Sequence, residues 1–218
     1  MLSRDVLSSG AFLSFFQDLP GFAQWPAERI EASMQEMLAK RPEDSPVWLF
    51  AYGSLIWNPL IHFTKRSTAL LEGWRRSFCL RLVAGRGSSE QPGRMMSLAS
   101  GGTTSGLAIQ LDESNLEEEL RLVWVREMVG GAYCPVWAPV TLADGRVVQA
   151  IIFTANPKHP LHEPDDALET VAPLIAQASG PLGSNRDYVL KLDHALQEHG
   201  LCDAYIHALA GRLALAGS

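Results

Sequence analysis

Val47-Trp-Leu-Phe-Ala-Tyr-Gly-Ser-Leu-Ile-Trp57 is the stretch on which the fold of this chain turns. Val47 to Tyr52 is a continuous apolar, aromatic run, the pattern of a buried strand. Gly53 and Ser54 end it. A buried strand that stops at a Gly-Ser turn leaves backbone N–H groups free, a cradle for an anion or an oxyanion. What precedes the run has a different character. Arg41-Pro-Glu-Asp-Ser-Pro46 is polar and proline-bearing, and reads as a linker. Before it, Ala11 to Phe16 and Ala27 to Leu38 carry helical periodicity, with Pro20, Gly21 and Pro26 punctuating between them. The chain therefore reads as a helical extension and linker over residues 1–45, followed by one domain over residues 46–218.

Beyond Trp57, Thr68 to Leu82 alternates loosely and predicts one bent strand or two. Ala84 to Gly93 is a long glycine-rich loop. Met95 to Leu98 and Thr104 to Leu111 predict short strands around a turn at Gly101-Gly102. Tyr133 to Leu142 and Arg146 to Phe153 predict a hairpin across Ala143-Asp144-Gly145. Helices follow, at about 165–178, 185–198 and 203–216, with Gly180-Pro-Leu-Gly-Ser184 separating the first two. Strands first, helices last, and one helix among the strands give an α+β fold: a small mixed barrel or curled sheet flanked by helices.

That inserted helix is Ser114-Asn-Leu-Glu-Glu-Glu-Leu-Arg-Leu-Val-Trp-Val-Arg-Glu-Met128. Ser114 with Glu117 has the form of a capping box at its start. Its apolar stripe runs Leu116, Leu120, Val123, Trp124, Met128. Glu117, Glu118 and Glu119 are the carboxylates expected in a first turn. Glu127 is different, because it falls on the apolar stripe. Burial there raises a carboxyl pKa toward the range useful for proton transfer, which makes Glu127 a candidate general base. The alternative is a helix-end carboxylate that swings to water or pairs with Arg126.

Composition narrows the rest. At 218 residues the chain is long enough for one full core. A net charge of −6 argues against general nucleic-acid binding. Cys79, Cys134 and Cys202 are widely spaced and read as free thiols. The longest apolar runs, at Val47 and Val147, fall short of a membrane span. Asp5 and the early serines break what would be the core of a signal peptide, so the expectation is a cytoplasmic protein without membrane insertion. His159 and His162 have metal-like spacing, but Pro157, Pro160 and Pro164 predict a solvated loop. Ser54 lacks a nucleophile elbow, and the glycine-rich loop lacks a Walker lysine. Arg75, Arg76, Arg81, Arg86 and Arg94 concentrate positive charge in one strand-loop-strand region, where an anionic small molecule can bind.

These segments together resemble the γ-glutamylcyclotransferase fold, in its bacterial ChaC-like branch. The resemblance rests on Tyr52-Gly-Ser-Leu-Ile-Trp57, on Trp74-Arg-Arg-Ser-Phe-Cys-Leu-Arg81, and on Gly85-Arg-Gly87 with Gln91-Pro-Gly-Arg94. It continues in Trp124-Val-Arg-Glu-Met128 with Gly131-Ala-Tyr133, and in Gly180-Pro-Leu-Gly-Ser-Asn-Arg-Asp-Tyr188. It covers roughly residues 46–200, and the helical extension is similar to the same branch. Relatives often carry Gly where this chain has Ala51, a departure that adds one methyl near the turn. The resemblance implies an enzyme that cleaves the γ-glutamyl bond of glutathione, giving 5-oxoproline and Cys-Gly. It implies Glu127 as catalytic acid/base, with Tyr52, Gly53, Ser54 and Leu55 around the γ-glutamyl group and Tyr133 and Tyr188 in the pocket. Arg81 and Arg94 are expected among the substrate-binding residues, and which arginine of the region from Arg75 to Arg94 meets the glycine carboxylate stays open. No metal or organic cofactor is implied. Two alternatives stay open: a cyclotransferase for other γ-glutamyl amino acids or amines, and a non-catalytic regulator of a cation transporter.

Overall fold

Five strands close into a barrel in the computed structural model, which describes residues 2–215 except 18, 20, 43 and 44. Pro20, part of the linker and the last residue of the expected 203–216 helix lie outside the described residues. The first strand, β1 (Trp48–Ala51), is fully buried, as its unbroken apolar run requires. It runs antiparallel to β3 (Gly93–Leu111), pairing Trp48 with Gln110 and Ala51 with Leu107. On its other edge it runs parallel to β5 (Val147–Ala155), pairing Leu49 with Ile151, and this contact closes the barrel. The circuit is completed through β2 (Phe63–Leu82) and β4 (Tyr133–Leu142).

Two expectations about the strands change. β2 begins at Phe63, not Thr68, and β3 is one strand rather than two around a turn. The glycines explain why. Between the pairs Glu72–Thr103 and Trp74–Ser100, the ladder shifts register. Gly73, Gly101 and Gly102 all have positive φ there. Without a Cβ they bend and twist the ribbon at a bulge and pairing continues past it.

The inserted helix is α4 (Leu116–Glu127); before it lie α1 (Arg4–Ser8), α2 (Ala11–Ser14) and α3 (Ala27–Leu38). The first of these is shorter than any periodicity test resolves. The stripe of α4 is buried throughout: Leu116, Leu120, Val123, Trp124 and Met128. α3 packs against α4, and its Ile30, Met34 and Met37 join the same core, while Glu117, Glu118 and Arg121 of α4 stay exposed. Trp124 Nε1 donates to Ser33 Oγ at 3.3 Å, and Trp137 Nε1 to the Met37 carbonyl at 3.0 Å. Each large side chain so buried contributes roughly 1.5–3 kcal/mol.

The expected capping box is absent. Asp112 accepts from the Ser114 N–H at 3.0 Å and its hydroxyl at 2.8 Å, in a 3-10 turn over Glu113–Asn115 that leads into α4. Glu119 is also not the exposed first-turn carboxylate expected. It is 1% exposed, held by Arg4 at 2.6 Å and by the His62 N–H at 2.9 Å. After the barrel come α5 (Leu168–Gln177), the small hairpin β6 (Ser179–Gly180) and β7 (Gly183–Ser184), then α6 (Asn185–Glu198) and α7 (Ala204–Leu215). Ser184 caps α6 by accepting from the Asp187 N–H at 2.9 Å.

Candidate active site

Where β1 ends, Tyr52 turns into Gly53-Ser54-Leu55, and this turn meets the C-terminal end of α4. The join is Arg126. Its guanidinium donates to Ser54 Oγ and to the Asn58 carbonyl, both at 2.6 Å. Its Nε lies 3.2 Å from Glu127 Oε1. One side chain thus fixes the turn against the helix and is, among the described residues, the one ion-pair partner of the helix-end carboxylate. Within the turn, the Ile56 N–H bonds the Gly53 carbonyl and the Asn58 N–H that of Ser54. Among the described residues, none accepts from the N–H groups of Gly53, Ser54 and Leu55.

A cavity of about 500 Å³ opens at this junction. It is lined by Tyr52, Gly53, Ser54, Leu55, Arg126, Glu127, Tyr133 and Tyr188, with Arg81, Arg86 and Lys191 also in its lining. The Glu127 side chain keeps 16% of its surface, and it lines the cavity. Burial pushes its pKa up, while the charge of Arg126 pulls it back only in part. The ion pair with Arg126 and the apolar site, alternatives from periodicity, coexist.

Three tyrosines surround the carboxylate. Tyr52 donates its hydroxyl to the Phe153 carbonyl at 2.6 Å, and Tyr133 to that of Met96 at 2.8 Å. Tyr188 packs edge-on against Trp57 with ring centroids 5.4 Å apart. Its hydroxyl touches the turn so closely that a Cβ at Gly53 would sit 2.9 Å from it. Burial, then the nearby Glu127 charge, pushes the Tyr188 hydroxyl up to about 12. Burial likewise holds Tyr52 and Tyr133 well above the ordinary tyrosine range. All three remain neutral near pH 7, so Glu127 is the acidic side chain among these four.

The two arginines expected to bind substrate separate. Arg81 lines the cavity and is exposed. Arg94 does not line it: it is 5% exposed and ion-paired to Glu163. A buried arginine already matched to a carboxylate is a structural member, so Arg94 is withdrawn from the substrate site. Arg86 takes its place in the lining, with its guanidinium 6.0 Å from the Tyr188 ring. Arg126, Trp57 and Lys191 were missed as site residues. Only Arg126 carried a signal, as the neighbour of Glu127. His159 is not a solvated loop residue either: Nε2 lies 3.0 Å from the Gly130 carbonyl and Nδ1 accepts from the Leu161 N–H at 3.2 Å.

A sequence model described as ChaC-like protein matches residues 47–213. The chain belongs to the ChaC-like family. It is 48% identical over 203 residues to the glutathione-specific gamma-glutamylcyclotransferase of Escherichia coli K12, covering 93% of this chain and 88% of that one. It is 32% identical to glutathione-specific gamma-glutamylcyclotransferase 1 of Danio rerio, over 70% of this chain and 82% of that one. The crystal structure of a glutathione-specific γ-glutamylcyclotransferase from yeast superimposes with a TM-score of 0.72 at 22% identity, covering 79% of this chain and 97% of the other. This ChaC-like chain thus has the γ-glutamylcyclotransferase fold. The family match begins at residue 47, so the α1–α3 segment lies outside it.

Proposed function

We propose that this chain degrades glutathione by intramolecular cyclisation, releasing 5-oxoproline and Cys-Gly. The observation that carries the reading is Glu127, a carboxylate with a raised pKa on the wall of a cavity shared with the open Gly53–Leu55 turn. Glutathione's α-amine is protonated at neutral pH and cannot attack. Glu127 takes one proton from it. The amine nitrogen then bonds to the γ-carbonyl carbon of its own side chain, and the bond from that carbon to the cysteinyl nitrogen breaks. Glu127 returns the proton to the leaving nitrogen, and the second proton that the attacking nitrogen sheds on becoming the lactam N–H converts the released amine to its ammonium form, so the protons balance without a co-reactant. Holding amine and carbonyl in contact supplies much of the remaining acceleration.

The turn N–H groups bind the γ-glutamyl carboxylate or the developing oxyanion. Arg81, Arg86 and Lys191 give the cavity a positive rim for the glycine carboxylate. That rim favours glutathione over γ-glutamyl donors without a distal carboxylate. The chemistry routed through Glu127 calls for no metal. The reading places the protein in the cytoplasm, where reduced glutathione and the three unpaired cysteines are compatible. Incubation with glutathione, with 5-oxoproline and Cys-Gly quantified by chromatography, tests it. Equimolar release is expected; release of free glutamate, or of neither product, rejects it.

A further inference from the structure

The cavity has one wall that the chemistry above does not use. Leu2, Phe12, Phe16 and Phe22, all from the N-terminal segment, line it opposite no charged group of their own. Their rings form a chain: Phe12 to Phe16 at 5.0 Å between centroids, and Phe16 to Phe22 at 5.2 Å. The chain is fastened to both halves of the site. At the helix end, the Trp25 N–H donates to the Val129 carbonyl at 2.8 Å. There the two residues after Met128-Val129 are glycines, and aromatic rings occupy the space their side chains would fill. A Cβ at Gly130 would lie 2.8 Å from Phe22 Cζ, and one at Gly131 would lie 2.3 Å from the Trp25 ring. On the other side, Asn58 Nδ2 reaches the Leu2 carbonyl at 3.5 Å, and Arg4 bonds the Leu60 carbonyl at 3.2 Å.

We propose that this segment is the specificity wall of the cavity, and that Phe12, Phe16 and Phe22 limit the size of the group carried on the donor's cysteinyl sulfur. The inference rests on the proposed glutathione reading. The donor's polar ends have other partners: its ammonium and α-carboxylate need Glu127 and the Gly53–Leu55 turn, and its glycine carboxylate needs the cationic rim. The cysteinyl CH₂–SH is the remaining part, and it is the part that packs favourably against aromatic rings. Phe22 is backed by the Gly130 backbone and Phe12 and Phe16 are buried behind it, so the wall's rings yield little. A thiol fits against them, and an S-alkyl chain has to displace them.

The test compares reduced glutathione with S-hexylglutathione, on wild type, Phe22→Ala and the volume-sparing Phe22→Leu. Phe22 is only half-buried, so these variants are expected to fold, with circular dichroism as the check. For Phe22→Ala we expect kcat/KM for S-hexylglutathione relative to glutathione to rise at least about 10-fold, as for several methylenes admitted to a pocket. KM for glutathione rises and its kcat changes little, because the wall touches the leaving group and not the reacting atoms. Phe22→Leu gives the same shift, smaller. A folded Phe22→Ala with an unchanged ratio overturns the proposal. Titration calorimetry of both compounds into Glu127→Gln, with and without Phe22→Ala, separates the two levels. If wild type makes no 5-oxoproline, the cyclotransferase reading falls while the Kd ratio still decides the wall. No binding of either compound, or an unchanged Kd ratio, overturns the wall as well.

Discussion

Glu119 and Glu127 stand on the same helix, about two turns apart, and both are taken out of bulk water. They have opposite electrostatic fates. Burial pushes Glu119 up, but hydrogen bonds from Arg4 and the His62 N–H, with their charges, outweigh it, and its pKa is lowered. Glu127 has a single neighbouring cation, already shared with Ser54 and Asn58, and its pKa is raised. A buried carboxylate whose lone pairs are all engaged is a fastener. One left short of partners, with surface on a cavity, is available for chemistry.

Removing each carboxylate should break the helix's two roles apart. Glu127→Gln is expected to lower kcat by two to four decades and leave the far-ultraviolet spectrum unchanged, because the amide keeps the shape but cannot take up and return a proton. The check is 5-oxoproline release under saturating glutathione. A folded variant with near-full turnover removes Glu127 from the mechanism.

Arg126 is where the two kinds of carboxylate environment meet, since it is both fastener and counter-ion. Arg126→Met unties Ser54 and Asn58 and strips Glu127 of its cation. Charge-assisted hydrogen bonds contribute about 1.5–3 kcal/mol, so kcat/KM should fall by one to two decades. The pH profile is more telling than the size of the loss. In wild type the acid limb of kcat/KM should lie above the ordinary carboxylate value of about 4.3. In Arg126→Met it should move higher still, because the one stabilising charge is gone. A limb that stays in place shows that another group sets it.

Much of this was legible in the sequence, and what was not has a common cause. The stripe of α4 exposed Glu127, and the run from Val47 to Trp57 located the barrel's first strand and the turn that meets it. These are local patterns. The fate of Glu119 depends on Arg4, 115 residues away. That of Arg94 depends on Glu163, which arrives from a loop after the barrel. No periodicity reports such partners. Glycines misled in one place: Gly101-Gly102 reads as a turn, yet with Gly73 opposite it makes a bulge. The helical periodicity over 11–16 and 27–38 was visible and α1 was not, and nothing local showed that Phe12, Phe16 and Phe22 line the cavity.

Glu119→Gln sharpens the comparison from the other side. It leaves Arg4 and the His62 N–H facing a neutral amide, at a cost of about 1–3 kcal/mol given that Arg4 is partly exposed. Chemical denaturation should show that loss, while kcat on glutathione at 25 °C stays within about twofold, since no reacting atom is near. A large fall in kcat with unchanged stability would mean that the two carboxylates are not separable as described.

The smallest expected effect is one of sign. Glu119's folded pKa lies below its unfolded value, so its ion pair stabilises above the ordinary carboxylate range and that stability is lost as pH falls through the folded pKa. Glu127 runs the other way. Its folded pKa is raised, so its contribution is fully present below the unfolded value and is lost as pH rises through the folded pKa. At pH 8 the ionised Glu127 is therefore a strain that the active site tolerates. Glu127→Gln should melt slightly above wild type at pH 8 and lose that advantage below pH 4, where the wild-type carboxyl is protonated. Glu119→Gln should show the reverse trend, with its deficit shrinking as the pH is lowered. Thermal melts of the three proteins from pH 3 to pH 8 decide it. If Glu127→Gln is destabilised at pH 8, Arg126 satisfies the carboxylate more fully than its shared hydrogen bonds suggest, and the contrast between the two buried glutamates is one of position alone.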